Sequence, residues 1–265
     1  MAKPPGSLLF IGNATTVIRC AGFSVLTDPN FLHRGERASL GYGLWSRRLR
    51  EPSLQPDQLP ELDALVLSHL HGDHFDRRAR RGLDKALPVV TTAHAAKWLR
   101  RWRFTDVSAV RTWESWSTRR DDGSRLQVTA LPGKHAFGPL GALLPPVMGS
   151  LLEFTDTEGR SYRIYVTGDT LVHDALAEIG RRHPDLDLGV LHLGGTRVLG
   201  QTVTMDGDQG AALLELVPVP HAVPIHYDDY PVMRSPLSDF LEAARRLGPR
   251  TTVHTVPRGD ELPLP

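Results

Sequence analysis

Residues 65–76 read Leu65-Val66-Leu67-Ser68-His69-Leu70-His71-Gly72-Asp73-His74-Phe75-Asp76. An unbroken apolar run gives way to three imidazoles and two carboxylates. The run Ala64 to Ser68 predicts a strand buried on both faces. Strand side chains alternate, so His69 and His71 leave it on the same side. Gly72 is expected to let the chain turn tightly, bringing Asp73 and His74 toward the same point before a helix begins. Four titratable groups within residues 69–74, at the end of a core strand, would repel or desolvate one another without a cation. Histidine and carboxylate are the ligands that borderline and hard divalent metals take.

Outward from this stretch the chain alternates. Upstream, Leu8 to Ile11, Thr16 to Arg19 and Phe23 to Thr27 read as short strands joined at Gly12-Asn13 and Ala21-Gly22. Residues 30–58 carry Gly, Arg, Ser and Pro without periodicity and predict a long loop, a form that usually serves as a lid. Downstream, helices are expected over Phe75 to Leu87 and Ala93 to Arg101, with a strand at Val89 to Thr92 between them. Strands are expected at Ser108 to Trp113, Leu126 to Leu131, Ser150 to Thr155 and Ser161 to Thr167. The remainder alternates helix 174–182, strand 188–193, helix 206–216, strand 222–226, helix 236–247 and a strand near Thr251 to Val256. No repeat or linker interrupts it, so residues 1–265 are expected to form one domain.

Composition narrows the function classes. The chain of 265 residues is 40% hydrophobic and 23% charged, as globular proteins are. Its formal charge of +1 provides no global field for nucleic acid or an anionic membrane. Arginine clusters at Arg47 to Arg50, Arg77 to Arg81 and Arg100 to Arg103 read as solvated helix and loop faces. The single cysteine, Cys20, forms neither an intrachain disulfide nor a thiolate zinc site. Met1 to Arg19 lacks a long apolar stretch, and Leu140 to Leu152 is broken by Pro145, Pro146 and Gly149, short of the ~20 residues that span a bilayer. The cytoplasm is the expected location. The tryptophan-rich segment 98–116 is the candidate interface for a homo-oligomer.

The His-x-His-x-Asp-His run resembles the signature of the metallo-β-lactamase superfamily. Three later positions follow β-rich runs in the family's order: His135 in Pro132-Gly133-Lys134-His135, Asp169 in Thr167-Gly168-Asp169-Thr170, and His226 in Pro224-Ile225-His226-Tyr227. The resemblance implies an α/β (α+β) fold, the αββα four-layer sandwich of two mixed sheets flanked by helices. It also implies a two-metal site, with His69, His71 and His135 on one ion, Asp73, His74 and His226 on the other, and Asp169 bridging. Zinc is the first expectation; manganese and iron suit the same ligands. Two such ions about 3.5–4 Å apart share a water and bring its pKa toward 7. The catalytic residues implied are Asp73, His226 and Asp169, with Asp73 orienting the hydroxide. Asp28 and Thr170 are candidates to support the ligands.

Finer features, Thr27-Asp28-Pro29, Leu59 to Ala64 and Leu193-Gly194-Gly195-Thr196, resemble the subgroup of L-ascorbate-6-phosphate lactonases and N-acyl-phosphatidylethanolamine-hydrolysing phospholipase D. That implies hydrolysis of an ester-type bond, lactone or phosphodiester, in a small-molecule substrate. Two alternatives stay open: an iron-dependent oxygenase or redox protein on the same fold, and a metal-binding regulatory protein without catalysis. The loop holds Arg34, Arg37, Tyr42 and Trp45. Arginine forks suit phosphate or carboxylate, so these residues and His173 are candidate contacts to an anionic substrate; a solvated loop is the plainer account. His192, inside the apolar run Leu188 to Leu193, reads as a satisfied core histidine. Nucleic acid is not an expected partner.

Overall fold

Ala64–Leu67 is buried at every position, as its unbroken apolar sequence requires. The computed structural model describes residues 3–41, 43–198, 200–246 and 250–265. The first half opens with the antiparallel meander β1 (Gly6–Gly12), β2 (Thr15–Cys20) and β3 (Phe23–Thr27). The predicted loop contains a small hairpin of β4 (Arg37–Ser39) and β5 (Trp45–Arg47). Then come β6 (Ala64–Leu67), α1 (Arg77–Gly82), β7 (Val89–Thr91), α2 (Ala93–Arg101) and β8 (Val107–Ala109), the three strands parallel to β3.

The second half repeats that plan. The strands β9 (Ser115–Arg119) and β10 (Arg125–Leu131) precede α3 (Gly138–Leu143), and β11 (Gly149–Thr155) and β12 (Ser161–Val166) complete an antiparallel run. Next are α4 (Ala177–Arg182), β13 (Leu188–His192), the hairpin β14 (Arg197–Val198) and β15 (Gln201–Thr202), and α5 (Gly207–Leu216). The strands β16 (His221–Ile225) and β17 (Thr252–Val253), with α6 (Leu237–Arg246) between them, extend the sheet in parallel. A last strand, β18 (Glu261–Pro263), returns to pair with β1. The two seven-stranded mixed sheets run β18-β1-β2-β3-β6-β7-β8 and β17-β16-β13-β12-β11-β10-β9.

Side-chain alternation sorts the core into layers. Leu8, Phe10, Val25, Ala64 and Val66 of the first sheet meet Leu126, Val128, Phe154, Ile164 and Ile225 of the second. The intervening residues Val17, Leu26, Leu65 and Leu67 face outward and pack on Ala79 of α1 and Ala95, Ala96 and Leu99 of α2. Leu131, Leu151 and Leu191 likewise meet Ile179, Leu213 and Phe240 of α4, α5 and α6. The result is helix, sheet, sheet, helix, the αββα sandwich.

Several boundaries differ from expectation. The helix predicted over Phe75 to Leu87 is α1 alone. Asp76 starts it by accepting from the amides of Arg78 and Ala79. Its end is fixed by the amine of Lys85, which bonds the Arg80 and Leu83 carbonyls. The strand predicted to Trp113 stops at Ala109, and Trp113 itself is left-handed at φ 72°. The apolar stretch from Leu140 divides between α3 and the start of β11.

Candidate metal centre

Each predicted ligand lies just beyond the carboxyl end of a strand, at one edge of the sandwich where loops from both sheets meet. His69, His71, Asp73 and His74 follow β6, His135 follows β10, Asp169 follows β12 and His226 follows β16. All seven are buried. The groups whose ligand atoms lie mutually within 4.8 Å are His69, His71 and His135; Asp73, His74 and His226; and His69, His74 and Asp169, which joins the other two.

Hydrogen bonds behind the rings decide which atoms face inward. His69 Nδ1 donates to Ser68 Oγ at 2.9 Å, because that hydroxyl is itself committed to Asp28 Oδ2 at 2.7 Å. His135 Nδ1 donates to the Val203 carbonyl at 2.6 Å and His226 Nδ1 to the Leu193 carbonyl at 3.1 Å. His74 Nδ1 donates to Asp28 Oδ2 at 3.0 Å. Lone pairs on His69 Nε2 and His135 Nε2 therefore converge on His71 Nδ1, at 3.0 and 3.2 Å. One imidazole proton could satisfy only one of those two nitrogens; a cation among them satisfies all three. In the adjoining group, Asp73 Oδ1, His74 Nε2 and Asp169 Oδ1 are buried without a hydrogen-bond partner, a rare condition for polar atoms in a native interior. The donor set fits divalent metal binding.

The electrostatics differ between the groups. Burial, reinforced by the neighbouring imidazoles, pushes His71 down to about 3 and lowers His69 and His135. His74 and His226 are buried too, but Asp169 and Asp73 overcome that and raise both. Burial raises the Asp28 carboxyl; His74 and His192 outweigh it and hold Asp28 below the usual carboxylate range.

The backbone around the candidate ligands is constrained. Gly72 is not left-handed as the predicted turn implied. Its missing side chain makes room for the lid, since a Cβ there would lie 2.7 and 2.8 Å from the Ser39 backbone nitrogen and oxygen. Asn13, Asp28 and His226 adopt φ of 55°, 37° and 62°, uncommon for residues other than glycine. Asn13 Nδ2 bonds the Asp73 carbonyl at 2.7 Å, and its own carbonyl takes the His226 amide at 2.9 Å. Thr170 Oγ1 accepts from the Lys134 amide at 2.9 Å and so steadies the loop bearing His135.

The proposed substrate contacts are less concentrated. Arg34 and Arg37 are exposed, Trp45 is 60% exposed, and Tyr42 lies outside the described residues. The lid tip does approach the centre: a Cβ on Gly41 would stand 3.8 Å from His71 Nε2. His173 is half-buried, with an unbonded Nε2. Arg48, in the same loop, is fully buried against Asp229. Sequence reasoning missed Ser68, Asn13 and Thr204, which donates to Asp169 Oδ2 at 3.0 Å. Only Ser68 carried a signal, by standing inside the histidine run. His192 is buried as expected, but its Nε2 has no hydrogen-bond partner and lies 3.3 Å from Asp28 Oδ2.

The beta-lactamase superfamily domain matches residues 24–227, which include every ligand candidate from His69 to His226. The chain belongs to the beta-lactamase superfamily. Within it, the chain is 26% identical over 233 residues to N-acyl-phosphatidylethanolamine-hydrolyzing phospholipase D 1 of Caenorhabditis elegans, covering 84% of this chain and 64% of that protein. It is 27% identical over 248 residues to a UPF0173 metal-dependent hydrolase of Carboxydothermus hydrogenoformans, covering 91% and 93%. Among solved structures, isothiocyanate hydrolase from Delia radicum gut bacteria shares the fold, with a TM-score of 0.78, 20% identity and coverage of 97% and 98%. The chain spans 61–64% of the length of the first curated relatives it matches.

Proposed function

We propose that this beta-lactamase superfamily chain is a hydrolase dependent on two divalent cations, zinc first, that cleaves an ester-type bond in a small anionic substrate. The observation that supports this is the convergence of seven buried ligands from both sheets on two adjoining groups, with polar atoms left unbonded between them. His69, His71 and His135 would hold one cation and Asp73, His74 and His226 the other, with Asp169 shared. Bound there, the pair would supply an acidified water and polarise the carbonyl or phosphoryl oxygen under attack.

The remaining tasks fall to the chain. Asp73 keeps Oδ2 at 3.4 Å from His226 Nε2 and leaves Oδ1 unbonded. That oxygen can accept a hydrogen bond from the attacking water and aim it. Arg34 and Arg37 supply charge for an anion on the lid side, and Trp45 an apolar surface beside them. His173, with its unbonded Nε2, is the candidate substrate contact outside the lid.

Metal content per chain, on protein purified without chelators or affinity-tag nickel, tests the reading. About two zinc or manganese ions are expected. A substrate panel then separates lactones from phosphodiesters, with phosphodiesters first because of the phospholipase D relative. Predominant iron would favour oxygen or redox chemistry, and no metal after reconstitution would overturn the proposal. Among the described residues, no helix is long and apolar enough to cross a membrane; the cytoplasm is the location we propose.

A further inference from the structure

His192 ends β13 in the second sheet, wholly buried and outside the seven ligands. Its amide donates to Thr167 Oγ1 at 2.9 Å, and its Nδ1 lies 3.3 Å from the same oxygen. Its ring stacks on His74 at 5.8 Å between centroids and 17° between planes, and stands 5.8 Å from His226. Its free edge, Nε2, faces Asp28 Oδ2 at 3.3 Å. Asp28 follows β3 in the first sheet. It accepts from the Ser68 amide at 2.7 Å, the Ser68 hydroxyl at 2.7 Å and His74 Nδ1 at 3.0 Å, all from the first sheet. Among the described residues, His192 is the group from the second sheet that reaches this carboxylate.

Asp28, His74 and His192 are close enough to resemble a metal site of their own. With three hydrogen bonds already on its carboxylate, Asp28 is better described as a bracket. Turned by Asp28, His74 presents Nε2 to Asp169 Oδ2 at 3.3 Å and Asp73 Oδ2 at 3.8 Å. A ring rotated about its Cβ would lose both. We propose that His192 is a positioning residue which, by bearing on Asp28 from the opposite sheet, sets the orientation of His74 and hence the hold of the Asp73, His74 and His226 group on its cation. This rests on the two-cation reading above. Partners that orient a ligand histidine typically carry 10–100-fold in metal affinity.

The test is titration of the metal-stripped chain with cobalt(II) alone, read by its visible absorption and by bound metal per chain. Thermal unfolding of each metal-free variant is recorded beside it. Wild type is expected to take two ions. His192→Leu, which fills the space without a polar edge, is expected to keep one tight ion and to bind the second at least tenfold more weakly. His192→Gln can bring an amide nitrogen to the place of Nε2 and is expected to restore the second ion to within about threefold of wild type. Asp28→Asn keeps the side-chain volume and is expected to weaken the same ion, so the test survives a His192→Leu chain that does not fold. Two ions bound by His192→Leu with wild-type affinity would overturn the proposal and leave the metal reading intact. Equal loss in the Leu and Gln variants would make His192 a packing residue, against the proposal. A wild-type chain that binds no cobalt would overturn the metal reading itself, and this inference with it.

Discussion

Asp73 and Gly72 are adjacent, yet their substitution should affect different properties. Asp73 is buried beside Asp169, His74 and His226, and its environment favours the charged carboxylate despite the burial that opposes it. Replacing it with Ala removes the oxygen assigned to orienting the attacking water, so hydrolysis should fall by about 10²-fold or more, as misplacing a reacting group by about 1 Å does. A cooperative thermal transition should remain. Activity within tenfold of wild type would count against the mechanism. Gly72→Ala should act on stability, because the added methyl meets the Ser39 backbone, which cannot swing aside as a long side chain would. A loss of about 1–3 kcal/mol in denaturant unfolding is expected. An unchanged midpoint would mean that the lid gives way at no cost. The buried cluster was legible because a histidine run at the end of an apolar strand has few other physical justifications. The residues behind them were not: Asn13 and Thr204 act through tertiary hydrogen bonds that leave no local pattern.

At the scale of elements, the lid is anchored at its root by buried charge. Arg48 Nε lies 3.1 Å from Asp229 Oδ1, and its Nη1 donates to the Asn30 carbonyl at 2.8 Å. Arg258 donates to both Asp229 oxygens at 2.9 Å, and the Asn13 amide donates to Oδ2 at 2.8 Å. One carboxylate thus ties the lid, the β1–β2 turn, the C-terminal segment and the loop of His226. Asp229→Ala leaves the fully buried Arg48 without its acid and Arg258 with Asp228 alone, at 3.3 Å, and should cost about 3–5 kcal/mol. Arg48→Met leaves Asp229 with Arg258 and Asn13, and should cost less. The reverse order in chemical denaturation would show that the cluster does not share its charge as the distances indicate. An arginine in a Gly- and Arg-rich stretch looks solvated from sequence; only the fold reveals that Arg48 is its buried exception. Strands β6, β10, β12 and β13 were readable from apolar runs. The strand β9, Ser115–Arg119, escaped because it is an edge strand of alternating half-buried and exposed residues with mostly polar side chains. The strand β18 escaped because its place depends on pairing with β1, more than two hundred residues away.

For the whole molecule, the centre is a seam. The first sheet supplies His69, His71, Asp73 and His74, and the second supplies His135, Asp169 and His226. Any ion bound there ties the sheets, and at a hundredfold excess over its dissociation constant it would add about 2.7 kcal/mol to stability. Stripping it with a chelator should lower the melting temperature by about 5–10 °C for a chain of this size. Acid should strip the two groups in sequence, because a ligand must lose its proton before it binds. His69, His71 and His135 sit below the ordinary imidazole value of 6.5, so they are neutral and ready well into mild acid. His74 and His226 sit above 6.5, held there by Asp169 and Asp73, so an incoming ion must displace their protons. As pH falls, those protons should reclaim the Asp73, His74 and His226 group while the three-histidine group still holds its ion. Zinc per chain, measured after dialysis at steps between about pH 8 and 5, should therefore fall from two to one before it falls further. Loss of both ions in a single step would mean that the shared Asp169 couples the groups more strongly than their separate environments divide them.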